Sequence, residues 1–398
     1  MHALRAAHAF DGTRFLPDGA TVVLERDRIV DVMEGRAGLP ESMEVTQYAG
    51  TVLPGLIDCH THLVADATFG GLERAGVASD EAVDMVIADS LRAHAAAGVT
   101  TVRDLGDRGY RTLAYRERSG LPRVVAAGPP LTTPGGHCHY LGGVVVGDAR
   151  AAVAQHGARG VDVIKVMASG GFATPGSDQL GAQFTVAELI VMVDEAHDAG
   201  LPVVAHAHSL LGIHNALAAG VDGIEHFSAL TAAGPRIDDQ LLDAVASRGV
   251  YVDLTMGNDR ALHAQMLAPP PVADLMASLG LTGFDAFYAS FIGLFGRFRE
   301  HGVALVTGTD AGMGPMKRHG NVWRMVGEMV EGGYPVAEAL AAATSVAAQA
   351  CGLGSETGRL AAGYAADIVV VDGDLAQDPS ILSTPRQVLI RGTPSAGA

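Results

Sequence analysis

The chain alternates between two textures. Eight short apolar runs, at 52–58, 99–104, 123–127, 161–168, 202–207, 223–226, 250–254 and 303–309, are mostly opened by Gly or Pro. Each is followed by a stretch rich in Ala, Leu and Glu at helical spacing. Within the runs the apolar positions are continuous rather than alternating, the pattern of parallel strands covered on both faces. The intervening stretches, such as 188–199 and 212–219, end with a Gly just beyond them, as helices do. Eight strand–helix alternations over roughly 300 residues predict an α/β fold, a (β/α)8 TIM barrel. The two ends read differently. Residues 21–24 and 28–32 are rich in β-branched side chains with Arg26-Asp27 as a turn, and 367–371 and 387–390 have the same character, ending in Asp372-Gly373 and Arg391-Gly392. Ends that resemble each other and not the middle predict one small β-sandwich domain built from both termini. The expected division is 1–53 with 358–398 for the composite β domain and 54–357 for the barrel.

The polar residues that stand out fall at the C-terminal ends of these runs, where barrel enzymes place their active sites. His60-Thr61-His62 puts two imidazoles at i and i+2, on one face of a strand, a natural pair of metal ligands. Lys165 lies inside a run that otherwise reads as buried, which is costly unless the amine is neutral, paired or modified. A neutral amine reacts with carbon dioxide to give a carbamate, whose two oxygens can bridge two cations. A third run ends in His206-Ala207-His208, a fourth in Glu225-His226, and a fifth in Thr309-Asp310. Each has an ordinary structural reading alone, such as a hydrogen-bonded core histidine or a capping aspartate. Together, at the ends of several runs and in the order His-x-His, Lys, His, His, Asp, they point to a metal site.

Composition narrows the setting. The chain has 398 residues, 48% hydrophobic and 18% charged, so it can bury a large core without disulfides. With 27 Lys plus Arg against 44 Asp plus Glu, the net charge is −17, which argues against nucleic acid or an anionic membrane as the main partner. Cys59, Cys138 and Cys351 form no CxxC pair, so neither a disulfide scaffold nor a zinc ribbon is expected, and a reducing compartment fits. No apolar run approaches the ~18 residues of a membrane span, and the N-terminal residues lack a signal-peptide core. The expectation is a soluble, cytoplasmic protein.

The ordered ligand set, with the stretch 52–62, Ile224-Glu225-His226, residues 307–312, Ala342-Ala343-Thr344-Ser345 and residues 358–368, resembles the metal-dependent amidohydrolase superfamily. Within it the chain is similar to the imidazolonepropionase-like and prolidase-like branch, the latter including Xaa-Pro dipeptidases and acyl-amino-acid hydrolases. The resemblance implies that His60, His62 and Asp310 bind the more buried metal, that His206 and His226 bind the second, and that carboxylated Lys165 bridges both. Spacing does not choose between His206 and His208; the resemblance points to His206 as the ligand and to His208 as a substrate contact. It also assigns a substrate contact to His137, in the loop Gly135-Gly136-His137-Cys138-His139-Tyr140. Cys138 beside two histidines raises the alternative of a third metal site, and a turn with exposed histidines is the simpler reading. Lys317-Arg318-His319, after the eighth run, reads either as a contact for a substrate carboxylate or as a solvated charged loop.

The implied cofactors are two divalent ions, most simply Zn2+, with carbon dioxide or bicarbonate for Lys165. The implied reaction is cleavage of an amide-type C–N bond by a hydroxide bridging the metals, with Asp310 as catalytic base and His137 or His208 assisting the oxyanion. The expected substrate is a dipeptide or N-acyl amino acid; the alternative is a cyclic amide, urea or carbamate, including apolar xenobiotics. A deaminase of the same superfamily is disfavoured by Lys165, and a non-catalytic barrel acting as a binding module by the completeness of the ligand set. As partners the reading expects a small-molecule amide and a homo-oligomer, with neither nucleic acid nor membrane. Finally, Phe284, Phe287, Tyr288, Phe291, Leu294, Phe295 and Phe298 recur at helical spacing, which predicts a helix packed on the barrel, or a lid or subunit contact.

Overall fold

The computed structural model describes residues 1–35, 38–264, 277 and 284–395. Its strands fall into three sheets. The first draws on both ends of the chain. It contains β1 (His2–Phe10), β2 (Phe15–Leu16), β3 (Ala20–Glu25), β4 (Arg28–Glu34) and β5 (Glu44–Pro54) from the start. The middle of the chain supplies β6 (Leu56–Thr61), β7 (Val99–Asp104), β8 (Arg123–Ala126), β9 (Ile164–Met167), β10 (Val203–Ser209), β11 (Gly223–Thr231), β12 (Gly234–Pro235) and β13 (Tyr251–Asp253). The last three, β14 (Ile368–Val371), β15 (Gln387–Ile390) and β16 (Thr393–Pro394), return to the first sheet.

That terminal sheet is one hydrogen-bonded sheet of eight strands, not two separate ones. The 11-residue β5 is the reason. It runs parallel to β1 along most of its length, and its end, Thr51–Pro54, pairs antiparallel with β14. One long strand thus carries both halves. Apolar side chains from both halves, including Leu4, Val22, Leu24, Ile368, Val370 and Leu389, share one buried cluster. Gly55 then lets the chain cross into the second sheet, because a Cβ there would sit 2.0 Å from Thr100 Oγ1.

The middle strands form two parallel ladders. β6, β7 and β8 are one; β9, β10, β11 and β13 are the other, with β12 folded back antiparallel on β11. Single parallel bridges join the ladders, from Leu131 to Val166, from Val252 to Leu305 and from Thr61 to Ala311. Seven of the eight apolar runs are therefore strands, whereas 303–309 contributes only bridges and isolated bonds. Its backbone still bonds on both sides, from Val306 N–H to the Val252 carbonyl at 3.0 Å and from Cys59 N–H to the Thr307 carbonyl at 2.8 Å, and only its end departs. Thr309 donates its N–H and its hydroxyl to Asp58, at 3.0 and 2.6 Å, instead of to a ladder partner.

Helices cover the outside of the ladders. Val186–Asp198 opens on a capping box between Thr185 and Glu188 and buries Leu189, Met192, Val193 and Ala196. These recur at three- and four-residue spacing, and each large aliphatic chain contributes roughly 1.5–3 kcal/mol by leaving water. Leu210–Ala219 is capped by the Ser209 hydroxyl and ends on left-handed Gly220. The aromatic-rich segment is a helix, Phe284–Glu300. Phe295 and Phe298 are fully buried, with Phe298 5.5 Å edge-on from Phe227 of β11, so this helix packs on the strands. The side chains of Phe284 and Phe287 lie outside the described residues. The three cysteines are free and buried, and no helix among the described residues is long and apolar enough to cross a membrane.

Candidate active site

The C-terminal ends of the parallel strands bring the notable side chains to one place. His60 and His62 leave β6 on the same side, and their Nε2 atoms stand 3.5 and 3.3 Å from Asp310 Oδ1. The potential ligand atoms of these three residues lie within 4.8 Å of one another, and so do those of His206, His208 and His226. The two groups adjoin, since the rings of His60 and His226 are 5.1 Å apart. His226 and Asp310 hold the left-handed backbone conformation, with φ of 70° and 54°. For non-glycine residues that conformation is uncommon and concentrates at functional sites.

Which nitrogen each ring presents follows from what holds the other. Nδ1 of His60 meets Glu225 Oε2 at 2.8 Å, that of His62 meets the Gly106 carbonyl at 3.2 Å, and that of His226 meets Thr255 Oγ1 at 2.9 Å. His208 is pinned in the same way by Ser228 Oγ, and His137 by Thr174 Oγ1, both at 2.9 Å. All five leave Nε2 for the cavity, the arrangement that orients imidazoles for a metal or a substrate. His206 differs: its Nε2 meets the Gly170 carbonyl at 3.1 Å, so Nδ1 is the nitrogen left over. Both His206 and His208 therefore stand beside His226 with a nitrogen unspent. Thr174 Oγ1 also accepts the Cys138 N–H at 2.9 Å, which holds the hydroxyl in place beside His137 Nδ1.

The surroundings keep these groups ready to ligate. Burial lowers His60 to about 4 and both His137 and His208 to about 3, so all three are neutral at ordinary pH. Burial likewise lowers Lys165 to about 8, Glu225 opposing it. The Lys165 Nζ is fully buried with no hydrogen-bond partner among the described residues. A buried amine left unpaired is expensive, and it marks a place where another group belongs. Burial raises Asp310, but Lys317 together with His62 and His60 more than offsets it and holds the carboxyl well below the usual range. Glu225 behaves alike: burial raises it, and the Arg103 guanidinium at 3.1 Å and His60 bring it down to about 2.

Other candidates fall where the sequence left alternatives. His137 faces the cavity, and Gly171 makes room for it, since a Cβ there would lie 2.4 Å from His137 Nε2. Cys138 is buried, takes the Tyr140 hydroxyl at 3.7 Å, and belongs to no metal-competent group among the described residues. His319 turns inward to the Ala65 carbonyl and Ser90, both at 2.9 Å, and serves packing. Lys317 is neither solvated nor free: its ammonium donates to the Thr255 and Thr309 carbonyls at 2.7 and 3.0 Å. Sequence reasoning gave no role to Arg103, Glu225, Asp253 or the hydroxyls of Thr174, Ser228 and Thr255, although Glu225 stands in the quoted Ile224-Glu225-His226. The first three carried a usable signal, a charge inside an apolar strand run, which is the argument applied to Lys165. The hydroxyls carried none.

Over residues 51–394 the sequence matches the Amidohydrolase family. The chain belongs to that family. A Xaa-Pro dipeptidase solved with methionine in its active site is similar over 99% of both chains, at 27% identity and a TM-score of 0.85. A prolidase solved with N-methylphosphonate-L-proline is similar over 99% of this chain and 98% of its own, at 26% identity and a TM-score of 0.81. The ochratoxinase of Aspergillus niger is 26% identical over 400 residues, covering 91% of this chain and 79% of the relative. This amidohydrolase is accordingly a hydrolase of amide-type C–N bonds, with buried histidine and aspartate groups able to bind metal.

Proposed function

We propose that the chain is a binuclear metal-dependent hydrolase, with a closed (β/α)8 barrel over 54–357 and a composite β domain from 1–53 and 358–398. One observation carries this: two buried ligand groups adjoin beside a lysine amine that has no hydrogen-bond partner among the described residues. The donor set fits divalent cations, because imidazole and carboxylate ligands are presented with their other atoms already held. His60, His62 and Asp310 would hold one ion, and His226 with His206 the other. Neutral Lys165 Nζ would bond to the carbon of carbon dioxide and release a proton, giving a carbamate that offers two oxygens to the two groups. Divalent ions there would supply acidity to a water and polarise the substrate carbonyl.

The remaining chemistry belongs to the chain. Asp310 accepts the proton of the attacking water and hands it to the leaving nitrogen. His137 and His208, each with Nε2 toward the cavity, donate to the carbonyl oxygen as charge develops on it. The similarity to a Xaa-Pro dipeptidase and a prolidase supports a dipeptide or N-acyl amino acid as substrate. The cavity wall favours a second reading, a neutral apolar amide, urea or carbamate, since Phe172, Leu254, Met313 and Met316 line it.

The test is metal content and turnover together. Zinc- and bicarbonate-treated protein should hold about two divalent ions per chain and hydrolyse a member of a panel of dipeptides, N-acyl amino acids, lactams and aryl ureas. Lys165→Ala should lose both metal and activity, and a short carboxylic acid should restore part of each. One ion per chain under these conditions, or full activity in Lys165→Ala, would end the binuclear reading.

A further inference from the structure

The cavity over the ligand groups has a volume of about 380 Å3, the size of a small-molecule site. Its outer wall is apolar, built by Phe69, Leu72, Phe172, Leu254, Met313 and Met316. Beyond the histidines, Lys165 and Asp310, two charged side chains line it among the described residues, Glu73 and Lys317. Their states differ. Lys317 gives two of its protons to backbone carbonyls, and its ammonium lies 3.7 Å from Asp310 Oδ2, so its charge is already answered within the protein. Glu73, half-buried, has no hydrogen bond or ion pair among the described residues, so no described side chain offsets its negative charge. No other cation is at hand from the stretch that precedes the aromatic helix, because residues 265–283 contain no Lys, Arg or His. The wall does offer a neutral polar group: Asn258 is 7% exposed, and its carboxamide makes no hydrogen bond among the described residues.

A substrate carboxylate lodged against this wall, away from the ligand groups, would leave water, meet no free cationic side chain among the described residues and approach Glu73. Burial of an unpaired charge and like-charge contact both oppose that. An uncharged apolar group would lose only its hydration by contact with the phenylalanine and methionine walls, with Asn258 available to a neutral carbonyl or N–H. We infer that the portion of the substrate lodged in this cavity is apolar and carries no carboxylate, so that the enzyme acts on neutral amides or their urea and carbamate analogues rather than on free-carboxylate peptides. This rests on the amide-hydrolase reading and narrows its substrate class.

The test uses a matched pair that differs only in the carboxylate: N-acetyl-L-phenylalanine and N-acetyl-2-phenylethylamine. With the zinc-loaded full chain, kcat/KM should favour the neutral member by about ten-fold or more. Glu73→Lys should raise kcat/KM for the acid and narrow the ratio, and Glu73→Gln should do so to a smaller extent. A ratio of one, or a preference for the acid, overturns the inference. Binding separates this from the catalytic reading. Zinc-loaded Asp310→Asn, titrated calorimetrically with the same pair, should bind the neutral member more tightly by a similar factor. Tighter binding of the acid, or no binding of the neutral member, overturns the inference whatever the parent's turnover. The amide-hydrolase reading stands or falls separately, on turnover of the wider panel by the parent.

Discussion

At the residue scale the site depends on how each side chain is held as much as on its identity. Asp310 illustrates this, since its Oδ1 faces two imidazole nitrogens while the nearby Lys317 ammonium keeps the carboxyl ionised. Asp310→Asn keeps the shape and one carbonyl oxygen but cannot accept a proton. It should retain most of its metal and lose ~10²–10⁴-fold in kcat with little change in KM. His60→Asn should instead lose metal and rate together, because it removes an imidazole ligand. Kinetics normalised to metal content distinguish the two, and near-parent turnover by fully loaded Asp310→Asn would move the proton shuttle to another residue. Gly171 makes a second case. Its missing Cβ leaves room for His137, so Gly171→Ala should displace that ring without unfolding the chain. If His137 donates to the developing oxyanion, kcat should fall by ~10²–10³-fold while metal content and thermal midpoint stay near parental values.

At the element scale the short C-terminal strand β14 is fastened by Asp367, just before it. The carboxylate accepts the Arg391 N–H at 2.8 Å and the Thr357 hydroxyl at 2.9 Å, tying the approach to β14 to the end of β15. Burial raises the Asp367 pKa, and the two hydrogen bonds reverse this only in part. A folded pKa above the unfolded one means that the group's stabilising contribution is complete below the unfolded value and is lost as pH rises through the folded one. Asp367→Asn can keep both contacts, with Thr357 turning to accept, and does not titrate. Relative to the parent it should therefore be more favourable at about pH 7.5 than at about pH 4.5, read from urea midpoints. The opposite trend would show that the ionised carboxylate is the stabilising form.

At the scale of the whole molecule the two ends of the chain are one structure. β14 pairs with Thr51–Pro54 of β5, and Leu360, Ile368, Val370 and Leu389 complete the cluster around Leu4, Val22 and Leu24. Removing residues 358–398 would leave that stretch of β5 without its antiparallel neighbour and open an apolar face. The truncated chain should aggregate, because unpaired edges over exposed apolar surface recruit other chains. Light scattering and the soluble fraction after expression measure this. A soluble, active truncation would show that the ends do not depend on one another.

Much of this architecture was legible locally. Continuous apolar runs marked seven of the strands, because a strand buried on both faces needs apolar side chains at every position. The i, i+2 spacing of His60 and His62 put both on one side of β6, because strand parity is a property of the backbone alone. Lys165 stood out by the cost of burying an amine, a cost that any neighbours must answer. The run 303–309 bonds on both sides, to Val252 of β13 and Cys59 of β6, but falls short of a regular ladder, because Thr309 turns its N–H and hydroxyl to Asp58, 251 positions away. For the same reason the sequence was silent on which ring nitrogen faces the cavity, since Glu225 holds His60 across 165 positions and Thr174 holds His137 across 37. It was equally silent on whether Lys317 was free to meet a carboxylate; its partners are backbone carbonyls, which every residue has and no pattern reveals. The sequence by itself determined the element types and the chemical kinds of ligand at the strand ends, since both follow from local periodicity and the cost of burying charge. Ring orientations, the partners of each charge and the character of the cavity wall were decided only by the tertiary structure, because they arise from contacts between residues far apart in the chain.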